Sequence, residues 1–287
     1  MATLRCAALG LAALLMAAPG WSQSPVPRGA DKVALVIGNN SYPQAGLRNA
    51  VNDAKAVATT LRDLGFEVSY RENLALAPML DAMREFLLQA AGSQVRVFYY
   101  AGHGAQWKGR NYLVPVDAFF RNEDEVATRA ANASELVERL GQSRSGVNVV
   151  ILDACRNSAF PVGTRTRGPG GNARSLAPGL AQVVAPRGTL VSFSTAPGAV
   201  ALDGSDGNSA FTRHLVSNMR VPGLPVEQLF KRVRIGVAAD TAQAQVPWES
   251  SSLMGEFCFR PGPDGRCGGA ELLPAADLPA KVAGGRR

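Results

Sequence analysis

The sequence predicts an α/β fold in which a mostly parallel sheet carries helices on both faces, and three observations predict it. The short continuous apolar run Val33–Ile37 reads as a strand buried on both faces, and Val147–Leu152 reads as a further strand. Between such runs lie longer stretches with apolar residues at helical spacing, and the alternation is that of βαβ units. Two of the helical stretches stop at glycines, Gly65 and Gly92, as helix C-termini do. The chain has 287 residues, 46% hydrophobic, 18% charged and 7% aromatic, which excludes pervasive disorder and collagen-like structure. An α/β chain of this length often forms one unit, so one domain with tails is expected.

The elements follow in order. Arg5, the apolar run Cys6–Ala18, and the small residues Gly20 and Ser22 have the layout of a secretory signal peptide, residues 1–22, cleaved after Ser22. The run is about 13 residues, short of the roughly 20 that span a bilayer, so no stable membrane span is expected and the protein is read as secreted or periplasmic. A Pro-containing linker occupies 23–30. Strand Val33–Ile37 ends at Gly38-Asn39-Asn40, and a helix runs from about Asn49 to Leu64. Strand Phe66–Tyr70, helix Ala77–Ala91 and strand Val95–Tyr100 come next, the last ending at Ala101-Gly102-His103-Gly104. A helix near Ser134–Leu140 precedes strand Val147–Leu152, which ends at Asp153-Ala154-Cys155. Residues 161–187 turn to Gly, Pro and Arg with little periodicity and read as an exposed linker. Strand Thr189–Phe193 and helices Ser209–Met219 and Val226–Ala239 complete the ordered part, and 259–287 reads as a flexible tail.

The net charge is +7, from 30 Lys and Arg against 23 Asp and Glu. Many arginines (Arg165, Arg167, Arg174, Arg187, Arg286, Arg287) sit in Gly/Pro-rich stretches, not in a stripe interleaved with aromatics, so nucleic acid is not an expected partner. Of the four cysteines, Cys6 leaves with the signal peptide. Cys258 and Cys267 lie close enough in sequence to pair in an exported protein, although spacing alone does not fix a disulfide. Cys155 then remains as a single thiol.

In an open parallel sheet, ligands bind beyond the carboxyl ends of the strands. Two strands here end in reactive residues, His103 and Cys155, and neighbouring strands would bring both to one rim. A thiol beside an imidazole is the minimum equipment for nucleophilic acyl transfer. The other histidine, His214, lies inside a helical pattern and is read as structural.

These residues resemble the caspase-like cysteine peptidases, of the metacaspase and bacterial caspase-homologue type. Asp153-Ala154-Cys155-Arg156-Asn157 is similar to the caspase cysteine signature, with His103 in Tyr100-Ala101-Gly102-His103-Gly104 upstream. Ser194-Thr195-Ala196-Pro197-Gly198 and Asn208-Ser209-Ala210-Phe211 resemble the small-subunit strand and the start of its following helix. The resemblance runs from about Asp31 to Ala239. It implies a caspase-like three-layer sandwich with a sheet of about six strands, in a peptidase domain over 31–258. That domain divides into a large-subunit-like part (31–160), the linker (161–187) and a small-subunit-like part (188–258). It further implies Cys155 as nucleophile, His103 as general acid, and the backbone N–H groups of Gly104 and Cys155 as the oxyanion donors.

The departures from the caspase pattern bear on specificity. Caspases place a Gln two residues before the Cys and an Arg shortly after the Ser-Thr-Ala-Pro-Gly strand, where they bind a substrate aspartate. Here those positions hold Asp153 and, by ungapped counting from Ser194, Asp203. Asp53, in Asn52-Asp53-Ala54, matches a metacaspase position lining the same pocket. A carboxylate-lined pocket repels an acidic side chain and pairs with Arg or Lys, so the expected partners are proteins or peptides cleaved after Arg or Lys. Bland roles compete: Asp53 suits the first turn of a helix, and Asp153 suits an N-cap. Self-cleavage at Arg165, Arg167, Arg174 or Arg187 is an expected consequence. No metal or cofactor is expected, and the scattered carboxylates of 117–125 leave activation by calcium undecided. The competing reading is a non-catalytic caspase-fold binding or regulatory module. A serine hydrolase lacks its Gly-x-Ser-x-Gly elbow here.

Overall fold

A computed structural model of the chain describes residues 30–143, 145–155, 180–197 and 207–268. The expected signal peptide, the linker up to residue 179, Asp203 and the tail from residue 269 lie outside them. The order is β1 (Lys32–Gly38), α1 (Ala50–Asp63), β2 (Glu67–Glu72), α2 (Leu76–Ala90), β3 (Val95–Trp107), β4 (Arg110–Leu113), α3 (Val126–Arg129), β5 (Ala131–Asn132), α4 (Ala133–Gly141), β6 (Val147–Cys155), β7 (Thr189–Phe193), α5 (Ala210–Met219), α6 (Val226–Asp240) and β8 (Trp248–Ser251).

The main sheet has the strand order β2-β1-β3-β6-β7-β8. Its first five strands are parallel, and β8 closes one edge antiparallel to β7. Because side chains alternate along a strand, each central strand feeds two cores. Val97 and Tyr99 of β3 and Val149 and Ile151 of β6 pack with α1, α5 and α6. Phe98, Tyr100, Val150 and Leu152 pack with α2 and α4 on the other face. Buried on both faces, these strands read as largely apolar runs in the sequence, each with one polar residue near its start, Arg96 and Asn148.

The structure adds elements that the sequence reading lacks. β3 does not stop at Tyr100 but continues to Trp107, because beyond residue 103 it leaves β6 and pairs antiparallel with β4. The hairpin turns at Lys108 and Gly109, whose φ values of 48° and 75° are those a two-residue turn between twisted strands requires. β8 (Trp-Glu-Ser-Ser) is short and polar because it is an edge strand with little to bury.

Two boundaries also shift. The end of the expected exposed linker is packed, with Leu180 and Ala185 buried in the core on the α2 and α4 face. Residues 259–268 are not a flexible tail: Phe259 is 2% exposed beside Phe66 and Phe257, and Cys258 forms a disulfide with Cys267. Among the described residues no helix is long and apolar enough to cross a membrane.

Candidate active site

The last rung shared by β3 and β6 pairs His103 with Cys155. Adjacent strands lie roughly 4.8 Å apart, so two residues far apart in sequence stand side by side at the carboxyl rim. Cys155 ends its strand. His103 instead sits mid-strand, where β3 exchanges one partner for the other, and this departs from the sequence reading in which the strand ends at this residue.

His103 is 1% exposed and held at several points. Its Nε2 lies 2.6 Å from the carbonyl of Ala45. A carbonyl only accepts, so in the neutral ring Nε2 carries the proton and Nδ1 is the basic nitrogen. The His103 backbone N–H donates to Tyr42 Oη at 3.0 Å, and its carbonyl accepts from the Val114 N–H at 2.9 Å and Tyr100 Oη at 2.8 Å. The Tyr42 ring lies against the imidazole, centroids 4.4 Å apart and planes tilted by 53°.

Both sides of this histidine leave little room for a side chain. A Cβ at Gly102 would lie 2.5 Å from Tyr100 Oη and 2.7 Å from Tyr42 Oη, and one at Gly104 would lie 2.9 Å from Leu180 Cδ2 and 3.1 Å from Ala154 Cβ. The space the glycines leave is thus filled by the protein's own side chains. Leu180 is brought there by Asn111 of β4, whose side-chain amide donates to the Ala181 carbonyl at 2.9 Å and accepts from its N–H at 2.7 Å.

A second buried cluster forms beside the rung. Gly38 lets α1 ride close on the end of β1, since a Cβ there would lie 2.6 Å from Ala54 Cβ. Asp53 in the first turn of α1 therefore sits at the sheet rim, 2% exposed. It does not point to solvent off its own helix end. Its Oδ1 accepts from Asn208 Nδ2 at 2.8 Å and from the Ser209 N–H at 2.9 Å. Asp153, two residues before Cys155 on β6 and 5% exposed, does not cap a helix. Its Oδ2 lies 3.0 Å from Ser209 Oγ, 3.2 Å from Thr212 Oγ1 and 3.3 Å from Tyr99 Oη. Ser209, the N-cap of α5, thus donates from its backbone to one carboxylate and from its hydroxyl to the other.

Among the described residues neither carboxylate has a Lys, Arg or His within ion-pair distance. Burial and the neighbouring Asp153 push the Asp53 carboxyl up to about 7, against the hydrogen bonds from Asn208 and Ser209. Burial likewise raises Asp153. Two like charges out of water without a counter-cation make a site that holds a proton or a cation.

The structure thus brings His103, Gly104, Cys155, Asp53 and Asp153 to one rim, and Asp203 lies outside the described residues. His214 stands apart on α5, its Nε2 2.9 Å from Asp240 Oδ2. Sequence reasoning missed Tyr42, Ala45, Tyr99, Tyr100 and Thr212, and it quoted Ser209 only for its place at a helix start. One signal was available: two tyrosines inside a buried apolar strand carry hydroxyls that need partners. Among the described residues no three His, Cys, Asp or Glu side chains converge as a metal site.

Comparison with known proteins agrees with this geometry. The family model of the caspase domain, peptidase family C14, matches residues 31–258. The mucosa-associated lymphoid tissue lymphoma translocation protein 1 homolog of Mus musculus is 36% identical over 135 residues, covering 47% of this chain and 16% of that protein. The Homo sapiens protein is 35% identical over 131 residues, with 45% and 16% covered. This chain therefore spans about one sixth of the length of these relatives. The crystal structure of the Drosophila initiator caspase Dronc superposes with a TM-score of 0.56 over 82% of this chain and 85% of that one, at 14% identity, a likeness of fold. With the family model spanning both strands of the His103–Cys155 rung and most of the ordered chain, the protein belongs to the caspase-domain family of cysteine peptidases.

Proposed function

We propose that the protein is a cysteine endopeptidase that cleaves peptide bonds after Arg or Lys. The observation that carries the specificity is the buried pair Asp53 and Asp153, with no Lys, Arg or His within ion-pair distance among the described residues, next to the His103–Cys155 rung. A guanidinium or ammonium entering there supplies the missing counter-charge, and an aspartate adds a third like charge.

The chemistry uses the chain's own groups. The Cys155 thiolate attacks the scissile carbonyl carbon and its C=O electron pair moves to oxygen, where the Gly104 and Cys155 N–H groups receive it. The C–N bond breaks as His103 donates a proton to the leaving amine, giving a thioester. Water then attacks the thioester, His103 takes the water's proton, and the acid product leaves as the thiolate is restored. No cofactor enters these steps. Export to an oxidising compartment is supported by the leader-like N-terminus and by the Cys258–Cys267 pair. Arg187 is a poor self-cleavage site, because the Thr189 N–H bond to the Pro186 carbonyl folds it into a turn where an extended substrate is required.

The test is hydrolysis of matched fluorogenic peptides ending in Arg, Lys or Asp, with Cys155→Ala and His103→Ala as controls. Cleavage after Arg or Lys, abolished by both substitutions, is expected. Equal cleavage of the Asp peptide overturns the specificity. Silence from folded protein, with and without calcium, overturns the activity and favours a binding module.

A further inference from the structure

The loop between β1 and α1 touches the imidazole of His103 twice, through the Ala45 carbonyl on Nε2 and through the tilted ring of Tyr42. The loop is itself tied down. The Asn40 carbonyl accepts from the N–H groups of Tyr42 and Leu47, and Asn73 Oδ1 accepts from the N–H groups of Asn40 and Ser41 at 3.0 Å each. Tyr42 is 8% exposed, and its hydroxyl does more than fill space. It accepts the His103 backbone N–H at 3.0 Å, donates to the Val114 carbonyl at 3.0 Å and lies 3.1 Å from Tyr100 Oη.

We infer that Tyr42 is a positioning residue for His103, fixing the backbone and the ring of the histidine together so that Nδ1 stays turned to the reacting groups. The geometry gives three reasons. The hydroxyl pins the main chain where β3 changes partners, and there a strand lacks a continuous ladder of its own. The ring packs against the imidazole at a tilt, which takes that side away from water and opposes swinging of the imidazole away from the Ala45 carbonyl. Gly102 is kept free of a side chain by the same hydroxyls, so this part of β3 is shaped around them. The inference rests on the proposed chemistry of His103 and Cys155 and adds to it a residue that acts through the histidine.

The experiment compares full-length wild type with Tyr42→Phe, which keeps the ring, and Tyr42→Leu, which removes it. Two quantities are followed from pH 5 to 9: kcat and KM on an Arg peptide, and the rate of Cys155 alkylation by iodoacetamide, read by mass at that residue. The expected result is a kcat about 3–10-fold lower for Tyr42→Phe and about 30-fold or more lower for Tyr42→Leu, with KM within about twofold of wild type. The alkylation midpoint of Tyr42→Leu moves up toward the ordinary cysteine range, because a displaced imidazolium no longer supports the thiolate. Unchanged kcat in Tyr42→Leu overturns the inference. So does a loss matched by the fraction unfolded, with the alkylation midpoint unmoved. If wild type cleaves no peptide but the midpoint still moves, the peptidase reading fails and the positioning stands.

Discussion

At one end of the β3–β6 ladder Arg96 is buried opposite Asn148, and at the other Asp153 is buried opposite Ala101, sharing Ser209 with Asp53. Both ends bury charge, but only one compensates it. The Arg96 guanidinium donates to the carbonyls of Ala90, Ser93 and Ser145 and to Asn148 Oδ1, so it closes the carbonyl end of α2. Asn148 in turn donates to Leu140 and Thr189. Among the described residues this cation lacks a carboxylate partner, yet it sits among partial negative charges. Among the described residues, the acidic end places two carboxylates together with only neutral donors around them. Uncompensated burial costs stability, and folds retain it at sites that bind or react. The contrast supports a structural role for one rim and the proposed substrate-binding role for the other.

The largest effect should come from breaking the compensated end. Arg96→Met removes the guanidinium donors from the buried carbonyls of Ala90 and Ser93, from the part-buried carbonyl of Ser145 and from Asn148 Oδ1, and a loss of about 3–5 kcal/mol is expected. In a domain of this size that lowers Tm by roughly 6–20 °C, measurable by calorimetry. The activity of the molecules still folded should stay within about threefold of wild type. A stable variant with reduced kcat would reverse the assignment of the two rims.

Breaking the other end should invert that pattern. Asp153→Asn keeps the shape and the hydroxyl neighbours but removes a charge, so kcat/KM for Arg and Lys peptides is expected to fall by about 10²–10³-fold, or roughly 3–4 kcal/mol of transition-state binding. Stability should not fall, and discrimination against the Asp peptide should shrink. A loss confined to Tm would return Asp153 to a purely structural role.

Much of this contrast was hidden in the sequence, for physical reasons. The central strands were legible because burial on both faces leaves apolar runs, and Cys155 and His103 were legible because they follow such runs. Arg96, inside Val95-Arg96-Val97, looks like a polar interruption, since its acceptors come from residues 90, 93, 145 and 148, which only the fold assembles. Asp53 had a sufficient local explanation at a helix N-terminus, and only the packing of α1 against α5 turns its carboxylate onto Ser209. Tyr42 sits in a loop without periodicity. The β3–β4 hairpin was missed because Lys108 carries a positive φ with no sequence signal.

The pH dependence sharpens the comparison further. Asp53 titrates at about 7 in the fold against an ordinary 3.8, so the folded state binds the proton more tightly than the unfolded chain. Its contribution to stability is complete below about pH 4 and is lost as pH rises through 7. Asp53→Asn removes this loss, and a gain on the order of 1–3 kcal/mol above pH 7 is expected, with a flatter stability profile between pH 4 and 7 in urea titrations. An Arg ligand should act in the same direction. Its KM should fall as pH rises through 7, because the proton it displaces has then already left. A pH-independent KM would mean that the pair is already ionised at neutral pH.

The smallest expected effect concerns the strap that crosses the acidic rim's neighbour, Gly104. Asn111→Ala removes two hydrogen bonds to Ala181, a half-buried backbone that water can partly satisfy, so a loss of about 1–2 kcal/mol is expected. The informative readout is local. If Leu180 is held on Gly104 and Ala154 mainly by this amide pair, exchange of the Ala181 N–H should speed up at least tenfold while exchange in β6 stays slow. If both accelerate together, the apolar contacts of Leu180 hold the strap and the polar clasp only sets its register. Either result separates the two kinds of bond at this rim. The acidic pair is stabilised by neutral donors whose removal should alter charge and pH response, whereas the clasp is neutral throughout and should alter only opening.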